Sequence, residues 1–115
     1  MKALIVTSNE AKPIAGALQK VLELVNVDAA ICDHGNALNE FLETEPDACI
    51  ILNYEDKAEE VGFPGKKTYK IIKAAAEPSQ KIIRIGFGSR DYDDYLQAPF
   101  LLTKLYQLLD LKKEE

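Results

Sequence analysis

Few residues in this chain combine types that could do chemistry. Asp33 stands beside His34, the only histidine, and a carboxylate next to an imidazole can orient a general base. No nucleophile stands close by in sequence. A lone His without a Cys or a second His nearby makes a poor metal site. The pair is therefore expected in a surface turn. Tyr54-Glu55-Asp56, with Glu59 and Glu60, forms an acidic cluster that could hold a metal or be a solvated loop; adjacent acids splay apart, which favours the loop. Thr7-Ser8-Asn9 follow an apolar run and open a helical pattern, a place where backbone N–H groups attract anions. They could form a phosphate or cofactor loop, or simply cap the helix through Asn9. The glycine spacing of a P-loop or a dinucleotide fingerprint is absent. Gly86-Phe87-Gly88-Ser89-Arg90 reads as a tight turn. Cys32 and Cys49 lie inside apolar runs without metal-ligand spacing and read as buried thiols in a reducing cytoplasm. Neither a metal nor a cofactor is expected from these residues.

The elements that must position these groups are those of one small domain. The 115 residues suffice for a single packed core. Net charge is −5, from 19 acidic and 14 basic residues, which disfavours nucleic-acid backbones as partners. The longest apolar run, Ala48 to Leu52, is strand-sized, so no membrane span is expected. Ala3 to Val6 is too short for a signal-peptide core, and a cytoplasmic location is expected.

Lys2 to Thr7 reads as a central strand covered on both faces. Pro13 falls in the first turn of a helix whose apolar stripe is Ile14, Ala17, Leu18, Val21, Leu22 and Val25. Val27 to Cys32, broken by Asp28, suits an edge strand. Ala37, Leu38, Phe41 and Leu42 mark a second helix, closed off by Pro46. Ala48 to Leu52 is the most buried strand, followed by a polar connection from Asn53 to Lys67. Thr68, Ile71, Ile72 and Ala75 mark a third helix ended by Pro78. Lys81 to Phe87 is a fourth strand, Ser89 to Asp94 a polar turn, and Tyr95-Leu96-Gln97 a very short fifth strand. Pro99 opens the last helix, with Leu101, Leu102, Leu105, Leu108 and Leu109 on its buried side. The domain spans residues 1–111, and 112–115 form a charged tail. Strands alternating with helices predict βαβ units and a doubly wound parallel sheet of four to five strands.

Five stretches carry a resemblance. They are Lys2-Ala3-Leu4-Ile5-Val6; Asp33-His34-Gly35-Asn36-Ala37-Leu38; Pro46-Asp47-Ala48-Cys49-Ile50-Ile51-Leu52; Gly65 ahead of Ile72-Lys73; and Asp94-Tyr95-Leu96-Gln97-Ala98-Pro99-Phe100. In this order, over nearly the whole chain, they resemble the receiver domain of two-component response regulators, the phosphorelay partner of sensor kinases. The resemblance implies a flavodoxin-like α/β fold with strand order 2-1-3-4-5.

The same resemblance implies that the phosphorylation chemistry is gone. Where a working receiver carries its Mg²⁺-binding acids, this chain has Thr7 and Ser8, and neutral hydroxyls cannot balance a divalent charge. The phosphoacceptor position falls on Leu52 by strict spacing or on Asn53 with a one-residue shift. The switch hydroxyl falls near Gly86 and the phosphate-contacting Lys on Ala98. Phosphoryl transfer depends above all on charge placement, so a pseudo-receiver is expected, not an enzyme. The fourth receiver helix is expected to be missing or reduced to a turn, because a parallel crossover normally takes about a dozen residues or more. Phe87, Tyr92, Tyr95 and Phe100 cluster beside that gap, as an interface or as plugs that close it. The expected function is a non-catalytic, phosphorylation-independent module that binds another signalling protein or a second copy of itself. The alternative is a small-molecule or flavin-binding protein using Thr7-Ser8-Asn9.

Overall fold

The computed structural model describes residues 1–8, 11–53, 64–86, 95–97 and 102–109. Five strands, β1 (Lys2–Thr7), β2 (Asp28–Asp33), β3 (Ala48–Asn53), β4 (Lys81–Gly86) and β5 (Tyr95–Gln97), form one sheet in the order β2-β1-β3-β4-β5. Every neighbouring pair is parallel. Four helices, α1 (Lys12–Leu24), α2 (Ala37–Thr44), α3 (Pro64–Ala75) and α4 (Leu102–Leu108), complete the described elements. The fold is the expected doubly wound α/β sheet, with β2 at one edge.

Strand side chains alternate between faces, and here both faces are covered. Ala3, Ile5, Ala48, Ile50, Leu52, Ile83 and Ile85 share a core with Ala15, Leu18 and Leu22 of α1 and with Leu105 of α4. Leu4, Val6, Cys49, Ile51 and Ile82 pack with Ala37 and Phe41 of α2 and Ile72 of α3. This double burial is why β1 and β3 are uninterrupted apolar runs. Each fully buried Leu or Ile contributes roughly 1.5–3 kcal/mol. At the amino end the register is held by Asp47: its carboxylate accepts the Lys2 N–H at 2.8 Å, its N–H donates to the Lys2 carbonyl at 2.9 Å, and its carbonyl accepts the Lys81 N–H at 2.9 Å.

Several local expectations shift. The buried stripe of α1 is Ala15, Leu18 and Leu22, preceded by buried Ala11. Ile14, Ala17 and Val25 are exposed and Val21 is half-buried. The apolar residues of α1 outnumber the positions that touch the sheet, so the buried stripe is narrower than the apolar one. Pro13 does stand in the first turn, but the N-cap is Ala11, without a side-chain cap. The helix closes through Asn26 at φ 63°, after which the Val27 N–H returns to the Leu22 carbonyl at 3.0 Å. In α2, Leu42 is exposed and only Ala37 and Phe41 are buried. In α3, Ile71 and Ala75 are exposed. Helix α3 begins at Pro64, inside the expected loop; proline is well suited to a first helical position. In α4, Leu105 is buried and Leu109 just beyond it is too, but Leu102 is exposed. The expected acidic cluster at residues 54–60, the turn in 87–94 with its reduced helix, the Pro99 helix start and the tail at 112–115 all lie outside the described residues.

Candidate functional site

In an open α/β sheet, ligands bind outside the carboxyl ends of the strands. The sheet brings most of the singled-out residues to that end. Thr7 is level with Asp33 across β1 and β2, Asn53 with Gly86 across β3 and β4, and Gly86 with Gln97 of β5. Val6 is level with Ile51, so Thr7 and Leu52 follow one step further along neighbouring strands. Ser8 leaves β1 at the same edge. Tyr95 opens β5 in register with Arg84. Phe87, Tyr92, Ala98 and Phe100 lie outside the described residues.

Thr7, Leu52 and Asp33 are spent on the fold. Thr7 is 1% exposed and its hydroxyl donates to the Ser8 carbonyl at 3.0 Å. The same carbonyl accepts the Ala11 N–H at 3.2 Å. Leu52 is also 1% exposed and belongs to the α1/α4-side core with Ile50, Ile85 and Leu105, because residues 48, 50 and 52 share one face of β3. A carboxylate in that setting would lose its hydration without a partner. Asp33 Oδ1 accepts the Asn36 N–H at 2.9 Å, which fixes the turn that starts α2.

His34 stands in the turn after β2, as expected, but it is not a surface residue. It is half-buried, with Nδ1 3.0 Å from Thr68 Oγ1. That contact joins the β2–α2 turn to α3. Burial pulls the imidazole pKa below its ordinary value, opposed by hydrogen bonding to the Leu52 backbone and by the Asp33 charge. The neutral ring thus ties together the turn after β2, the end of β3 and the first half of α3. A hydroxyl beside an imidazole has the makings of an activated nucleophile, but Thr68 is 7% exposed, which shuts out a substrate. The arrangement serves as a clasp.

A second tie lies beside it. The Arg84 guanidinium of β4 stacks over the Tyr69 ring of α3, 3.8 Å from its centroid. Sequence reasoning passed over Thr68, Tyr69 and Arg84 as functional groups. Their partners are distant along the chain, and no local spacing marks them. Burial pushes the Cys32 thiol up to about 12, helped by Glu40 and Asp33, and pushes the buried Cys49 thiol up as well. Both are free and poor nucleophiles, since the thiolate is the reactive form. Cys32 is only half-buried, however. Among the described residues, no group of three or more His, Cys, Asp or Glu is placed to hold a metal ion. No helix among them is long and apolar enough to cross a membrane.

No family model matches this chain, and neither does any curated protein.

Proposed function

We propose that the chain is a non-catalytic, phosphorylation-independent module of the receiver type, acting in signal transduction through protein–protein contact. The observation that carries this reading is the state of Thr7 and Leu52. The strand order is the flavodoxin-like one, and on the receiver resemblance Thr7 takes the place of a metal-binding acid and Leu52, or Asn53 one residue on, that of the phosphoacceptor. Thr7 and Leu52 are buried and neutral: one hydroxyl is turned onto its neighbour's carbonyl, and one isobutyl group is sunk in the core. Transfer of a phosphoryl group needs an acceptor oxygen and charge to stabilise the migrating group. A frame that keeps the fold and fills those positions with packing atoms is suited to docking. The candidates for the contact surface on this reading are Phe87, Tyr92, Tyr95 and Phe100, and the partner is a second signalling protein or a second copy of the chain.

The test is exposure to acetyl phosphate, and separately to beryllofluoride, with Mg²⁺ present. The intact mass is expected to stay unchanged, and amide resonances at the carboxyl end of the sheet are expected not to move. A covalent phosphoryl adduct, above all on Asp47 or Asp56, would overturn the proposal.

A further inference from the structure

At the amino end of the sheet, opposite the edge described above, a cleft of about 350 Å³ is lined by Phe41, Leu42, Glu45, Pro46, Asp47, Ala75, Glu77, Ser79 and Gln80. Its charge is one-sided. Glu45, Asp47 and Glu77 line it, the Asp47 carboxylate also accepting the Lys2 N–H, and no Lys, Arg or His is among its described lining residues. Helix α2 ends at Thr44 with Glu45 as its C-cap, and α3 ends at Ala75. Two helix carboxyl termini, each carrying partial negative charge, therefore meet at the same cleft.

Apolar residues of two helices flank the cleft. Leu42 and Ala75 line it from facing helices. Leu38 lies one turn before Leu42 on α2, and Ile71 one turn before Ala75 on α3, so each shares the face of its partner. Leu42 is 56% exposed and Ile71 40% exposed, large for leucine and isoleucine on packed helices. Neighbouring helices that expose apolar side chains beside an anionic cleft match the kind of surface that receives an amphipathic helix.

We infer that the α2–α3 surface docks an amphipathic helix of a partner protein, with apolar anchors on Leu38, Leu42, Ile71 and Ala75 and an arginine entering the Glu45–Asp47–Glu77 cleft. Charge complementarity selects a basic segment. The planar guanidinium, with its fork of donors, suits several carboxylates better than a lysine ammonium does. The cleft is at the small end of binding-site volumes, the size for one long side chain. The inference rests on the docking-module reading and names the chemistry of the partner.

The test selects binders to the full chain from a displayed library of short helix-forming peptides, then titrates the enriched peptides into isotope-labelled protein. Basic amphipathic sequences are expected, with saturable amide shifts at Leu38, Leu42, Glu45, Ala75 and Glu77. The Glu45→Gln/Glu77→Gln variant, which keeps the apolar wall, is expected to weaken binding at least about tenfold, and Leu42→Asn to weaken it without altering the salt dependence. Enrichment of neutral or acidic peptides, shifts confined to other surfaces, or unchanged affinity in the double glutamine variant would overturn it. So would concentration-dependent shifts of the protein alone at this surface, which would seat a second copy there. Arginine amide binding as tightly as the peptides would also overturn it, as that result marks a pocket for small cations. Phosphoryl uptake from acetyl phosphate would remove the phosphorylation-independent reading while leaving these titrations untouched, so the two failures are distinguishable.

Discussion

The two ends of the sheet use the same kinds of side chain in opposite ways. At the carboxyl end, polar groups are bonded within the protein: Thr7 to Ser8, Asp33 to the Asn36 backbone, and His34 to Thr68. At the amino end, register is held mainly through the backbone around Asp47, and Glu45 and Glu77 face a cleft. Among the described residues, the end where α/β sheets usually bind ligands carries internal ties, and the other end carries carboxyl groups that line a cleft. A polar residue near a strand end is thus no guide to function until its hydrogen-bond partner is known.

The contrast breaks hardest at the end of β3. Leu52→Asp should destabilise the protein by at least about 3 kcal/mol, because it removes a buried leucine and buries a carboxyl group without a partner. Urea unfolding measures the loss. If Leu52→Asp is tolerated, the carboxyl end is open and the contrast between the ends fails.

The clasp gives a smaller effect with a pH signature. Thr68→Val keeps the shape and removes the hydroxyl that meets His34, and should cost about 1–3 kcal/mol in chemical denaturation. His34 itself is linked to pH. Its folded-state pKa is lowered by burial, so the unfolded chain takes up the proton first. Stability is full above about 6.5, the ordinary histidine value, and falls as pH drops through the lowered folded value. Denaturation midpoints of His34→Gln should lose that acid-side slope. A slope unchanged in the variant would assign it to carboxylates elsewhere.

The smallest expected change is at the stack between α3 and β4. Tyr69→Leu preserves an apolar contact and removes the ring face under Arg84, for an expected loss of about 0.5–2 kcal/mol. High salt should leave that difference largely intact, because a half-buried contact is screened less than an exposed ion pair.

The sheet could be read from the sequence because its signals are local. Unbroken apolar runs such as Ala48 to Leu52 announce strands covered on both sides, and Asp28 within a weaker run announces an edge. The order of elements then leaves few topologies. The helix faces were less readable, since α1 carries more apolar residues than the sheet can cover and nothing in the sequence says which of Ile14 and Ala15 turns inward. The clasp was not readable at all. His34 and Thr68 are 34 residues apart, each has polar neighbours that suit a surface position, and only the stacking of α3 beside the β2–α2 turn makes them meet. Arg84 shows the same limit: an arginine within a strand reads as an interruption until the ring beneath it is seen.

The position of β1 has a consequence for assembly. It is the first strand made, and it pairs with both β2 and β3; β4 then adds to β3, and β5 to β4. No strand has to be threaded between two that are already joined, so the sheet can widen outward in the order of synthesis. At every stage the newest strand meets an edge that is already in place. The opposite edge stays with β2, whose two end residues are Asp28 and Asp33. Charged residues at both ends of an exposed edge strand discourage nascent chains from joining edge to edge.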